Sequence, residues 1–402
     1  MHTTRLLKVA ATSAAVVLLA AACGSSSSSS GSTAGSTERP APPAGTAATS
    51  VGAGEGELNI IAWAGYAENG STDPKVDWVT PFTAATGCKV NVKIGNTSDE
   101  MVTLMKTGQY DGVSASGDAS LRLIYGGDVA PVNNDLVPNY KTVSEFLKDK
   151  QWNSVNGVSY GIPHGWGANV LAYNPAVVTT PPTSWGAVFD ANSPYKGKIT
   201  AYDSPIYIAD AALYLSKTKP DLKITNPYAL DDTQFQAAVD LLKTQRPLIS
   251  KYWADYTAEV NSFGAQESVL GTAWQINANL INGEGKVKVE SLVPSEGATG
   301  WSDTWMIASK AAHPNCMYKW MDWIVSPDVN AQVAEWFGEA PAQTLSCAKA
   351  TAGFCDQFHA LDATYASSIS YWTTPTKNCL DGRGDLCKDY AAWVQAWTEI
   401  KG

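Results

Sequence analysis

The chain of 402 residues has little of what enzymes use for catalysis. It has four histidines, and the three beyond the N-terminal segment, His164, His313 and His359, lie far apart in sequence. There is no G-x-S-x-G nucleophile turn, no H-E-x-x-H zinc motif and no Walker A loop, since GEGK at 283–286 lacks the length and the Ser or Thr. These absences predict a protein that is not an enzyme and needs no cofactor.

Basic residues are also scarce, with 28 Lys and Arg against 38 Asp and Glu. Removal of an N-terminal signal containing Arg5 and Lys8 leaves 26 basic residues and a net charge near −12. Such a charge argues against nucleic acid and anionic membrane surfaces as partners and is compatible with a cationic ligand.

Long apolar runs are absent except at the N-terminus. Arg5 and Lys8 precede an apolar, alanine-rich run at residues 9–22 that is too short to span a membrane and is typical of an export signal. The stretch LLAAAC resembles the lipobox of bacterial lipoproteins, so we expect residues 1–22 to be a signal peptide and Cys23 to carry lipid. An ordinary signal peptide is the alternative.

Residues 24–56 consist mainly of Ser, Gly, Ala, Thr and Pro. This composition cannot bury enough apolar surface to form a core, so residues 23–56 are predicted to be the lipidated cysteine and a disordered tether. The protein would then be held at the outer face of the cell membrane, in the periplasm of a Gram-negative cell, by the N-terminal lipid only.

Six cysteines remain once Cys23 is lipidated, and an even number in an exported protein predicts disulfides. They show no C-x-x-C spacing, so we expect no metal site. Six cysteines allow fifteen pairings. Proximity along the chain favours Cys347–Cys355, Cys379–Cys387 and, by remainder, Cys88–Cys316.

About 345 residues follow the tether, more than one core usually holds, so two lobes are expected. The first part alternates strand and helix patterns: a strand at 58–62, a helix beginning near Pro74, a strand in KVNVKI, and a helix in TSDEMVTLMKTG opened by a capping box of Thr97 and Glu100. This βαβαβ order predicts a parallel sheet with its ligand beyond the carboxyl ends of the strands. Trp63, Tyr66 and Asp118 follow such ends.

Eight segments, in order and spacing, resemble the solute-binding proteins of ABC importers, specifically the spermidine/putrescine-binding type. They are LNIIAWAGY, YDGVSASGDAS, YGIPHGWGANVLAYNP, TSWGAVFD, PYKGKITAYDSP, GTAWQINA, GWSDTWMI and WFGEAPAQ. The resemblance covers residues 57 to about 343, and the tail with four cysteines lies outside it.

The resemblance implies an α/β type II periplasmic-binding-protein fold, in which two lobes joined by hinge-crossing strands close on a ligand in the cleft. Lobe one would comprise residues 57–163 and 275–338. Lobe two would comprise residues 164–274 and 339–402, including the disulfide-rich C-terminal extension.

The resemblance also implies a set of ligand contacts. Carboxylates would pair with ammonium groups, and aromatic faces would contact both the charges and the methylenes of a polyamine. The expected ligand-binding residues are Trp63, Tyr66, Asp118, Trp166, Asp203, Trp274, Gln275, Asp303, Trp305 and Glu339.

Two positions depart from the family pattern. Gly65 stands where polyamine binders commonly carry an acid, and Gly117 stands in a turn where they carry a tyrosine. Asp118 either restores the missing carboxylate or caps the helix that follows it.

The resemblance therefore implies the substrate-binding component of an ABC importer, a monomer that captures polyamines and delivers them to a permease with its ATPase. The same scaffold binding another small solute, such as a compatible solute, an amino-acid derivative or a sugar, is one alternative. A surface lipoprotein without a transport role is the other.

Overall fold

The computed structural model describes residues 39–402. The predicted signal peptide, Cys23 and the first part of the predicted tether lie outside the described residues. Within residues 39–402, no helix combines the length and the apolar character that crossing a membrane requires.

Short strands and helices alternate along the described chain. The strands are β1 (Glu57–Ala62), β2 (Lys89–Ile94), β3 (Gly112–Ala115), β4 (Ser154–Val155), β5 (Val158–Ser159), β6 (Ile162–Tyr173), β7 (Ile199–Tyr202), β8 (Ile249–Trp253), β9 (Leu270–Trp274), β10 (Glu290–Leu292), β11 (Ala298–Ile307), β12 (Ala340–Pro341) and β13 (Ile369–Tyr371). The α-helices are α1 (Val79–Thr86), α2 (Ser98–Met105), α3 (Gly117–Gly126), α4 (Gly186–Phe189), α5 (Ile208–Thr218), α6 (Asp232–Gln245), α7 (Tyr256–Gly264), α8 (Gln275–Glu284), α9 (Pro314–Ile324), α10 (Pro327–Phe337), α11 (Phe354–Gln357), α12 (Ala363–Ser367) and α13 (Tyr390–Lys401).

The main sheet has the strand order β2-β1-β3-β11-β6-β9-β7-β8. The group β2-β1-β3 is parallel, as is the group β9-β7-β8. Between them, β11 and β6 run antiparallel to each other. The first half of β6 pairs with β11 and its second half with β9, so one long strand links the two parallel groups. This is the expected α/β architecture, and the exact lobe boundaries stay a prediction.

The helix expected from Pro74 begins later, at Val79. The residues before it form a turn, because the N–H of Gly70 donates to the carbonyl of Val76 and an isolated β-bridge joins Asn69 to Asp77. Pro74 therefore lies in this turn and not in the first turn of a helix.

The described part of the predicted tether contacts the folded body. Residues 39–56 form bends but no helix or strand. The guanidinium of Arg39 donates to the carbonyl of Gln151 at 3.0 Å. Glu55 accepts from the backbone N–H groups of Asn315 and Cys316, both at 2.9 Å, in the first turn of α9. A carboxylate at a helix N-terminus satisfies N–H groups that have no partner within the helix.

Within residues 39–402 the six cysteines form three disulfides, with the pairing that proximity favours. Their members are Cys88–Cys316, Cys347–Cys355 and Cys379–Cys387. The first joins the residue before β2 to α9 across 228 positions of sequence, whereas the other two each close a loop with a separation of eight.

Candidate functional site

A cavity of about 410 Å³ lies where the carboxyl ends of strands from both parallel groups meet. This volume is within the range of small-molecule sites. The lining residues follow β1, β2, β3 and β8, end β7 and β9, and lie on β11, at the end of α10 and just after β13. They are Trp63, Ala64, Gly95, Asn96, Thr97, Ser116, Tyr202, Ala254, Asp255, Tyr256, Thr257, Trp274, Trp301, Asp303, Phe337 and Trp372.

Aromatic rings form much of the cavity wall. The ring of Tyr202 is stacked on that of Trp372, with centroids 5.5 Å apart and an interplanar angle of 15°. Trp274 lies 5.5 Å from Tyr202 and 6.4 Å from Trp301. Ring faces attract cations through their quadrupole and also contact aliphatic chains, so this wall suits a ligand that combines both.

Asp303, on β11, is the buried acid of this lining and is only 3 % exposed. Its carboxylate accepts hydrogen bonds from the hydroxyls of Ser116 and Tyr66, the latter at 2.6 Å. Burial raises the pKa of Asp303 to about 7, although these two hydrogen bonds oppose the shift. A cation in the cavity would favour the ionised form of Asp303.

Tyr66 and Glu339 lie directly beneath the floor and do not border the cavity. The hydroxyl of Tyr66 is 2.8 Å from Glu339 Oε2. Burial, with the negative charge of Asp303 as a second cause, holds the pKa of Glu339 well above its usual range. Behind it, the Nδ1 atom of His164 lies 3.6 Å from Glu339 Oε1, and burial lowers the pKa of His164 to about 3, so the imidazole is neutral.

Asp118 is buried beside the cavity without lining it. Its Oδ1 atom accepts from the hydroxyl of Ser98 at 2.9 Å, and burial raises its pKa to about 6. It lies in the first turn of α3, where a negative charge is favourable, but its side chain does not cap that helix.

Two predicted tryptophans lie in the core and not in the cleft. Trp166 is fully buried and packs edge-to-face against Phe146 at 5.1 Å. Trp305 is fully buried against Trp320 at 5.6 Å. Neither ring borders the cavity, which corrects the expectation of a cleft position for both.

Two predicted polar residues are engaged elsewhere. Asp203 accepts from the indole N–H of Trp397 at 2.9 Å and from Lys401 at 2.6 Å, both on α13. Gln275 accepts from Ser291 at 3.0 Å and donates to Asn279. Neither lines the cavity, which corrects the expected cleft position. Of the ten predicted contacts, Trp63, Trp274 and Asp303 border it, with Tyr66, Glu339 and Asp118 next to them.

Sequence reasoning missed several lining residues. Tyr202, which ends β7, is the neighbour of Asp203, the residue that the family resemblance indicated. Asp255 follows β8 just as Trp63 follows β1. The rule that ligands bind beyond the carboxyl ends of parallel strands could therefore have identified Asp255. Trp372 lies in the C-terminal extension, where no pattern pointed to a site.

Gly117 and Trp372 are matched in shape. A Cβ atom on residue 117 would lie 1.8 Å from the backbone carbonyl oxygen of Trp372, so only glycine fits there. The hydroxyl of Thr374 donates to the carbonyl of Asp118 at 2.8 Å and lies 3.1 Å from the carbonyl oxygen of Gly117. The glycine that departs from the family pattern therefore makes room for a segment that brings an indole to the cavity.

One group of possible metal ligands occurs among residues 39–402, namely Cys379, Asp381 and Cys387. The two cysteines form a disulfide, so they offer no thiolates for a metal.

A family model described as bacterial extracellular solute-binding protein matches residues 77–353. The chain belongs to this family. Solute-binding proteins are components of transport systems and not enzymes, and they act outside the cytoplasm.

Curated relatives of this solute-binding protein include two that bind polyamines. The putrescine-binding periplasmic protein SpuD of Pseudomonas aeruginosa is 25 % identical over 294 residues, which cover 69 % of this chain and 76 % of the relative. The spermidine/putrescine-binding periplasmic protein of Escherichia coli is 26 % identical over 272 residues, covering 67 % and 74 %.

Solved structures establish the fold of this solute-binding protein as the type II periplasmic-binding-protein fold. The spermidine/putrescine-binding protein PotD of Streptococcus pneumoniae matches with a TM-score of 0.66 and 17 % identity, covering 86 % of this chain and 97 % of that one. The protein MotA of Agrobacterium tumefaciens, solved with glucopine, matches with a TM-score of 0.65 and 15 % identity, covering 86 % and 100 %. At these identities the likeness speaks for the fold alone.

Proposed function

We propose that this protein captures a polyamine of the putrescine or spermidine type and delivers it to an ABC permease and its ATPase. The observation that carries the proposal is Asp303, a buried carboxylate at the floor of a cavity walled by Trp63, Tyr202, Trp274 and Trp372. An ammonium group would pair with Asp303, and the methylenes would lie against the rings. The polyamine-binding relatives support the same ligand class.

A second acid stands at the mouth of the cavity. Asp255 is exposed, and its Oδ1 atom accepts from the N–H and the hydroxyl of Thr257 at the start of α7. Asp303 lies on β11, which pairs with β3, and Asp255 follows β8, so a diamine held by both would bridge the two sides of the sheet. Contacts made on both sides only when the cleft is closed shift the open–closed equilibrium towards the closed form.

The alternative of a ligand with a single cationic group has one observation in its favour. Of the four acids expected in the site, only Asp303 borders the cavity, while Asp203 pairs with Lys401. A betaine or an amino-acid derivative would need no second buried carboxylate.

Thermal unfolding of the full chain in detergent, with and without candidate ligands, tests the proposal. A ligand that binds only the folded state must raise the melting temperature. Putrescine and spermidine are expected to raise it, whereas betaine, arginine and glucose are not. A rise with betaine or with an amino acid, and none with polyamines, would replace the ligand class and leave the transport role.

We also propose that Cys23 carries the lipid that holds a monomeric protein at the outer face of the membrane. Cys23→Ser is expected to release the protein into the medium or periplasm without changing ligand affinity. Retention of the variant in the membrane fraction would contradict the lipid anchor.

A further inference from the structure

Tyr66 makes close contacts with Asp303 and Glu339 at and beneath the floor of the cavity. These contacts need more hydrogen atoms than a tyrosine and two ionised carboxylates carry. The Tyr66 oxygen lies 2.6 Å from Asp303 Oδ2 and 2.8 Å from Glu339 Oε2, both hydrogen-bond distances. A tyrosine hydroxyl carries one hydrogen, and an ionised carboxylate can only accept. Two such contacts among three oxygen atoms therefore need a second hydrogen, which one of the two carboxyl groups must supply.

The surroundings decide which carboxyl group holds it. Glu339 does not border the cavity, its side chain is fully buried, and its Oε1 atom has no hydrogen-bond partner among the described residues. Asp303 borders the cavity and accepts a further hydrogen bond from Ser116. A buried carboxylate with an unpaired oxygen is far less stable than the neutral acid, so the proton belongs to Glu339.

The groups facing Glu339 offer it no compensating positive charge. His164, on β6, is neutral because burial lowers its pKa to about 3. Gly165 follows it in the strand, and a Cβ there would lie 2.0 Å from the carboxyl carbon of Glu339. The chain thus provides a closely fitted, uncharged niche for this carboxyl group. The remaining titratable neighbours are Asp303 and Tyr66. The negative charge of Asp303 adds to the effect of burial and raises the pKa of Glu339, whereas the hydrogen bond with Tyr66 lowers it, and burial is the largest of these effects.

We infer that Glu339 is a neutral acid that positions the floor of the ligand site. Its O–H donates to Tyr66, Tyr66 donates to Asp303, and Asp303 is left as the single negative charge at the floor of the cavity. The floor then accommodates one ammonium group, and the other charge of a diamine must be met by the rings or by Asp255 at the mouth. This inference deepens the proposed function and rests on it for its binding readout.

The protonation of Glu339 can be tested without any ligand. Infrared difference spectra of the full chain, wild type minus Glu339→Gln, are recorded at about pH 8, above the pKa of about 7 of Asp303. A C=O stretching band of a protonated carboxylic acid is expected. A difference spectrum without it would show that Glu339 is ionised and overturn the inference. Asp111→Asn, which removes a buried carboxylate that accepts from the N–H groups of Asn59 and His313, is the control for spectral changes caused by any loss of a buried carboxyl group.

Binding of putrescine supplies the second readout. Glu339→Gln retains a donor for Tyr66 without a charge, so its dissociation constant should stay within about threefold of the wild type. Glu339→Ala should weaken binding by roughly tenfold, and Asp303→Asn by on the order of 10- to 150-fold. A loss with Glu339→Gln as large as that with Asp303→Asn would make Glu339 a second counter-charge. If the wild type binds no polyamine, the proposed function is wrong. The infrared spectra would still show whether Glu339 is protonated.

Discussion

Asp303 is the residue on which recognition of a cation depends most. We predict that Asp303→Asn weakens putrescine binding by about 1.5–3 kcal/mol, because a charge-assisted hydrogen bond is lost while the shape is kept. Asp203→Asn is the matched control: that acid also fits the family pattern, but it pairs with Trp397 and Lys401. Calorimetric titration would show unchanged affinity for Asp203→Asn, and equal losses in both variants would remove Asp303 from its role.

Ligand affinity should depend on pH, because Asp303 can be protonated. Only the ionised form pairs with an ammonium group, and burial raises the pKa of Asp303 to about 7. Affinity should be highest above about pH 8 and fall by up to tenfold per pH unit below about pH 7, because the bound cation must displace a proton. Binding measured across this range should lose its slope in Asp303→Asn. A flat profile in the wild type would contradict the assignment.

Individual site residues were expected on two grounds. Trp63 was placed at the cleft because it follows the carboxyl end of a strand, and it borders the cavity. Asp303, Asp203 and Glu339 were expected from the family resemblance, which indicates a region of the site but not which side chains face the cavity. Asp303 borders the cavity, whereas Asp203 pairs with residues of α13. The niche of Glu339 over Gly165 depends on tertiary packing that the sequence does not display.

At the scale of elements, the start of a helix is predictable when the residue that caps it is adjacent in sequence. The side chain of Thr97 accepts from the N–H of Glu100, which begins α2 as expected. The reciprocal half of the capping box is absent, because Glu100 accepts from Asn96 and not from Thr97. The C-terminal extension was not predictable as part of the site, since it reaches the cavity by pairing β13 with β11, a contact between residues some 70 positions apart.

The fit between α3 and the C-terminal extension can be tested at Gly117. We predict that Gly117→Ala destabilises the protein by about 1–3 kcal/mol and weakens ligand binding, because the new Cβ collides with the carbonyl of Trp372 and must displace the indole. Gly283→Ala is the control, as that glycine lies in α8 with no atom within 4 Å of the added Cβ. It should stabilise the helix by about 0.5–1 kcal/mol.

Unfolding in denaturant and titration with ligand together check this prediction. If Gly117→Ala lowers stability but leaves affinity unchanged, Trp372 serves the fold and not the ligand. If neither stability nor ligand affinity changes, Gly117 and Trp372 do not approach each other as closely as the structure indicates.

For the whole molecule, the three disulfides differ in what they constrain. Cys88–Cys316 closes a loop across 228 positions, whereas Cys347–Cys355 closes one across eight. A cross-link restricts the unfolded chain more when its loop is longer, which in the chain-entropy model gives about 5 kcal/mol for the first and about 3 kcal/mol for the second. Replacing both cysteines of each pair by serine and measuring the free energy of unfolding should reveal this order. Equal losses would mean that native packing, and not loop closure, determines how much each disulfide stabilises the protein.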